Sequence, residues 1–86
     1  MKAAERLINA GYEDVVVFDN PSFDSALIGV SEDNRAIYDY DKMVVWLAVS
    51  WAISREDAID FIEYNTIRAL SYRGKVAPIV MYRLPQ

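Results

Sequence analysis

The residues that could do chemistry are few. Asp39 and Asp41 stand one residue apart in "YDYD", with Tyr38 and Tyr40 interleaved. Two neighbouring carboxylates can share acid/base work or hold Mg²⁺ or Ca²⁺. The competing assignment is structural: Asp41 precedes a long apolar run and suits the N-cap of a helix, while Asp39 alternates to a solvent-facing side of a strand. A second group, Tyr38, Asn65, Thr66 and Arg68, could line a polar pocket around "EYNTIRAL", with Tyr72 nearby. Its plainer reading places Arg68 at a helix C-terminus, where the dipole favours a cation, paired with Glu63 or Asp39. Glu56, Asp57, Asp60 and Glu63 form a third group, an acidic helix face that is either a solvated surface or the contact for a basic partner.

Other chemistry is excluded by composition. The chain has no cysteine and no histidine, which removes Cys/His zinc sites, thiol nucleophiles, Ser-His-Asp triads and histidine general bases. The three glycines, Gly11, Gly29 and Gly74, lie too far apart for a phosphate-binding loop. No cofactor, metal or catalytic residue is therefore expected, and the chain reads as non-enzymatic. Lack of disulfides fits a cytoplasmic protein, and Glu5, Arg6 and Asn9 break up "MKAAERLINAG" too much for a signal peptide.

The net charge of −4 conceals an uneven distribution. Residues 1–67 hold all thirteen acidic groups against five basic ones, a net −8, whereas residues 68–86 carry four bases and no acid, a net +4. Either the basic segment packs beside acidic elements of its own domain, or the acidic body offers itself to a basic partner. Direct nucleic-acid binding is not expected, because duplex affinity comes mostly from cations that neutralise phosphates.

Eighty-six residues with 53% apolar content make one domain, residues 1–86, near the size at which a single core only just offsets chain entropy. "KAAERLINA" (2–10) reads as a helix closed by Gly11. Val15 to Phe18 are consecutive strand formers, "SALIGV" alternates as a second strand, and "RAIYDY" returns as a third. "SEDN" should turn between the latter two, with Asn34 in the left-handed region. The 42–53 helix follows, then one opened by Ser54 and Asp57 as a capping box, with Ala58, Ile59 and Ile62 inward. "SYRGKVAP" is a loop and "IVMYRL" an edge strand. The predicted class is α+β, in the order α-β-β-β-α-α-β: a three-strand antiparallel meander plus a C-terminal strand, with helices on one face.

The 42–53 helix raises its own question. From Met43 to Ile53 only Ser50 is polar, yet the run is too short for a membrane span, which needs about 20 apolar residues. At ~100° per residue, Met43, Val44, Leu47, Ala48 and Trp51 form a core stripe. Val45, Trp46, Val49 and Ile53 form a second ridge on the other side. Three placements are open for that ridge: burial between sheet and helices, a homodimer interface, or contact with a different protein.

The strings "DNPSFDSALIGVSEDNRAIYDYDKM", "SREDAIDFIEYNTIRAL" and "APIVMYRL" resemble a family of small acidic proteins of unknown function from gut-type bacteria, their phages and other mobile elements. The resemblance covers about residues 14–84, with "YDYD", "YNTIRAL" and "PIVMY" in order. It departs at "VVWLAVSWAIS", where members carry a more acidic, polar segment. Its mobile-element context implies a protein that binds and blocks a host enzyme. From the second ridge, the expected function is a small protein-interaction module that self-associates through the 42–53 helix. The alternative is a phage or mobile-element inhibitor of a host nucleic-acid-binding or defence protein, acting through its acidic surface.

Overall fold

The computed structural model describes residues 1–85. It is α+β, with a three-stranded mixed sheet and helices packed against it. Helix α1 spans Ala3–Asn9, strands β1 and β2 span Leu27–Val30 and Ala36–Asp39, and helix α2 spans Tyr40–Trp51. Helix α3, Arg55–Phe61, runs on through a π-helical turn at Ile62–Ile67 and a 3-10 stretch at Leu70–Val76 to strand β3, Ile79–Met81.

Helix α1 buries Ala3 and Leu7 and leaves its own N-cap position, Lys2, without a side-chain bond. Asp24 supplies the missing acceptor from a distant segment: its carboxylate receives the Ala3 N–H at 2.8 Å. Since the first turn of a helix has N–H groups without internal partners, this bond fixes α1 to the 3-10 turn Asp24–Ala26 that leads into β1. Gly11, at φ +93°, lets the chain leave α1.

The β1–β2 hairpin closes as its sequence requires. Asn34 adopts φ +61°, its N–H bonds to the Ser31 carbonyl at 3.0 Å, and the Ser31 N–H bonds to that of Arg35 at 2.8 Å. The antiparallel register sets Leu27 opposite Tyr38 and Val30 opposite Ala36, with an irregularity between Leu27 and Gly29. That irregularity leaves Ile28 facing outward, 42% exposed.

Two topological expectations fail. Val15–Phe18 is not a strand and pairs with none. Its end is held by a side chain: the Phe18 N–H donates to the Tyr38 hydroxyl at 3.2 Å, and Tyr38 is a fully buried side chain projecting from β2. A backbone held by a side chain that leaves the sheet lies over its face and cannot join its edge. Val15–Phe18 is therefore hydrophobic because it covers the core, with Phe18 stacked on Tyr38 at 4.6 Å and Phe23 at 5.6 Å. The second correction concerns β3, which sits at an edge as expected but runs parallel to β2, with Ile37 against Ile79 and Asp39 against Met81. The sheet has three strands in the order β1-β2-β3. The four-strand arrangement and its three-strand antiparallel meander are replaced by one hairpin and one parallel crossover through α2 and α3.

The core joins Leu7, Phe18, Phe23, Leu27, Tyr38, Met43, Leu47 and Ile62, together with smaller side chains. Helix α2 packs against β2, against the 3-10 turn and against α3. Ala58 of α3 and Ile62 of the π-helical turn are fully buried, and Ser54 accepts the Asp57 N–H at 3.0 Å, which is the expected cap. No helix among the described residues is long and apolar enough to cross a membrane.

Candidate interaction surface

Helix α2 starts at Tyr40, two residues earlier than expected. Its N-cap is Asp39, which accepts the Lys42 N–H at 3.1 Å, so the assignment of that role to Asp41 is corrected. Being 2% exposed, Asp39 has no solvent-facing side either. Its second oxygen receives the Arg83 Nε at 2.6 Å. Burial pushes the Asp39 carboxyl up, but the Lys42 N–H and the Arg83 guanidinium outweigh it and hold the group below the ordinary carboxylate range. Each oxygen of this carboxylate is thus engaged, one by the helix cap and one by a guanidinium. Asp41, in the first turn of α2, is exposed, and no cluster of three metal-ligating groups occurs among the described residues.

At its other end α2 stops in a Schellman arrangement. Ala52 takes a left-handed conformation at φ 52°, ψ 48°, the Ile53 N–H bonds to the Ala48 carbonyl at 3.1 Å, and the Ala52 N–H bonds to that of Val49 at 3.4 Å. The chain thus turns before Ile53. Ile53 leaves the helical wheel and packs, half-buried, against the core cluster.

The rest of the wheel divides cleanly. Met43, Val44 and Leu47 are buried, as the core stripe requires. Trp51, assigned to that stripe, is instead 43% exposed on the last turn, with its ring edge to face with Phe61 at 4.7 Å. On the second face, Val45 is 55% and Val49 77% exposed. Trp46 is half-buried, with its ring 5.5 Å from that of Phe23. The ridge foreseen as Val45, Trp46, Val49 and Ile53 is therefore an exposed Val45–Val49 pair with the Trp46 indole beside it, and Ile53 belongs to the core. A groove of about 620 Å³ runs along this face, lined by Val45, Trp46 and Val49, with Asp41, Lys42 and Arg83 at the N-terminal end of α2. Apolar walls with charges grouped at one end are typical of a recognition groove.

The expected polar pocket does not assemble. Tyr38 is fully buried beneath Phe18, and Arg68 lies over the Tyr64 ring at 5.5 Å and pairs with neither Glu63 nor Asp39. Tyr72 is 91% exposed. The π-helical turn is the reason: its wider i→i+5 bonding advances the chain past the positions a 3.6-residue wheel assigns. Asn65 and Thr66 line a small cavity of about 100 Å³ with Phe18, Asn20 and Arg73. Arg73, which the sequence did not single out, donates to the Val17 carbonyl at 3.5 Å with its guanidinium 5.7 Å from the Phe18 ring centre. A basic residue two turns downstream of Asn65 gave no signal of this, since the turn of Gly74 at φ +72° was not readable as such.

Of the acidic face, Glu56, Asp57, Asp60 and Glu63 are all exposed. None forms an ion pair among the described residues; the two pairs found are Arg35–Asp33 and Arg83–Asp39. Glu63 accepts the Tyr40 hydroxyl at 3.0 Å, and Tyr40 stacks on Tyr82 at 4.8 Å. Burial first, then the bond to Glu63, push the Tyr40 phenol up to about 12.

No protein-family model, curated protein or solved structure matches the chain.

Proposed function

We propose that this protein is a non-enzymatic, cytoplasmic interaction module that associates with a second copy of itself through the exposed face of α2. The supporting observation is the Val45–Val49 pair, 55% and 77% exposed on adjacent turns of a groove of about 620 Å³. Two bare valines one turn apart on a helix that already fills its core with Met43, Val44 and Leu47 favour an apolar contact outside the domain. A small domain with a modest core also gains stability when folding is coupled to association. Sedimentation equilibrium over a concentration series tests this. A weight-average mass that rises to twice the chain mass is expected, and a mass fixed at one chain up to millimolar concentration rejects it.

A second reading has its own observation. Glu56, Asp57 and Asp60 are exposed and form no ion pair among the described residues, an arrangement suited to the basic surface of a nucleic-acid-binding host protein. It accords with the resemblance to phage and mobile-element proteins. Capture from a host lysate with the wild type and with Glu56, Asp57, Asp60 and Glu63 reversed to lysine distinguishes it. Equal recovery of the same partners by both proteins rejects an acidic contact.

A further inference from the structure

The groove is electrically asymmetric along α2. Lys42 lies in the first helical turn, where the positive end of the helix dipole disfavours a cation, and its ammonium forms no ion pair among the described residues. It lies on the same side of the helix as Val45 and Val49, three and seven residues on, and lines the same groove together with Asp41, whose charge suits the first turn, and with Arg83, whose own charge is matched by Asp39. The last turn of α2 has the opposite deficiency. It contains no basic residue, and its Schellman bonds use the carbonyls of Ala48 and Val49, leaving those of Ser50 and Trp51 without a protein donor among the described residues. One end of the ridge has a misplaced cation, and the other has orphan carbonyls at a negative helix terminus.

We propose that two copies pack antiparallel along α2, about a two-fold axis between Val45 and Val49, with Lys42 of each helix meeting the Ser50 and Trp51 carbonyls of the other. This rests on self-association through α2 and specifies its geometry. An axis midway between Val45 and Val49 places each Val45 against the partner's Val49. Lys42 precedes Val45 by three residues and Ala52 follows Val49 by three, so the same axis brings Lys42 level with the end of the partner's helix. Antiparallel helices also set opposite dipole ends together, at both ends of the contact. In a parallel pair Lys42 would face Lys42, and Val45 would face Val45.

The absence of cysteine allows a direct test. Val45→Cys and Val49→Cys, both at exposed positions, are oxidised separately and as an equimolar mixture, with wild-type association followed in parallel by sedimentation equilibrium. The antiparallel arrangement gives cross-linked dimer preferentially between the Val45→Cys and Val49→Cys chains. If each variant cross-links efficiently to itself and not to the other, or if no pair cross-links while the wild type dimerises, the arrangement is wrong and self-association stands. A wild type that stays monomeric overturns both. Lys42→Gln supplies a second readout: two contacts are lost per dimer, so association weakens about 3- to 30-fold, and the difference from wild type shrinks in high salt. The melting temperature of the dilute monomer does not fall, because the substitution removes a cation from the wrong end of its own helix. An unchanged dissociation constant for Lys42→Gln rejects the Lys42 contact.

Discussion

Val49→Glu is the perturbation that most directly weighs the α2 face. Val49 is 77% exposed, so the folded monomer meets the new carboxylate mostly with water, and a stability change within about 0.5 kcal/mol is expected, as for an ordinary surface substitution. Association is affected differently. Fully burying a valine side chain is worth about 1.5–3 kcal/mol, so covering the exposed fraction of Val49 contributes roughly 1–2 kcal/mol per copy, or about 2–4 kcal/mol in a symmetric pair. Losing this weakens the dimer roughly 30- to 1,000-fold, before any penalty for desolvating two glutamates. Sedimentation equilibrium measures the association, and urea unfolding of the dilute protein measures the fold. The expected outcome is a folded Val49→Glu monomer at concentrations where the wild type is dimeric. A variant that dimerises as tightly as wild type refutes the role of this face. Loss of more than about 2 kcal/mol in monomer stability would show that Val49 is part of the core, contrary to its exposure.

Ala52→Gly should stabilise the domain by about 1 kcal/mol, because the left-handed conformation at φ 52° is costly for alanine and free for glycine; the melting temperature rises by about 4–8 °C, and no rise would mean that the turn is not left-handed in solution. Arg83→Met leaves the Asp39 carboxylate buried without its guanidinium and should cost about 1–3 kcal/mol at neutral pH, a range set low because Arg83 is itself half-exposed. The Asp39 carboxyl is held below its ordinary value in the folded protein, so its contribution is present above the unfolded value and lost as pH falls through the folded one. The difference between Arg83→Met and wild type should therefore narrow in acid urea titrations, and a gap independent of pH would contradict the pairing. Tyr40, with its phenol near 12, has the opposite sign: its contribution is complete below the ordinary tyrosine value of about 10 and lost as pH rises towards the folded one. Glu63→Gln should move the Tyr40 titration, followed by NMR of tyrosine-labelled protein, down towards the ordinary value; an unmoved titration would show that Glu63 does not hold it up.

The elements read most securely from sequence were those governed by local chemistry. Asn34 in the hairpin turn and Gly11 after α1 act through their own backbone, Ser54 at the start of α3 through a hydroxyl three residues from its donor, and each stands where its residue type suggested. The interior of α2 was equally legible, because helical periodicity decides which side of Met43–Leu47 is buried. Errors arose wherever a distant partner settled the matter. Val15–Phe18 has strand-forming residues but takes its bond from a tyrosine of β2. Asp39 displaced Asp41 as the cap once Arg83 could neutralise it inside the protein. Ile53 was assigned to the ridge because the left-handed residue that removes it is alanine, a type that does not announce such a turn. The polar pocket failed for a related reason, since nothing in "EYNTI" declares a π-helical turn.

The pairing of β3 with β2 bears on the order in which the protein can be assembled. Residues 27–39 fold into a local hairpin, but a two-stranded hairpin is marginal in water. Its third strand is drawn from residues 79–81, and the cation that matches the buried Asp39 comes from residue 83. Until that segment has been synthesised, α2 has its cap but the capping carboxylate has no counter-ion, and the hairpin has one edge uncovered. Cooperative folding must therefore wait for residues 79–83 to leave the ribosome. During that interval the apolar side chains of α2 lack their complete seat.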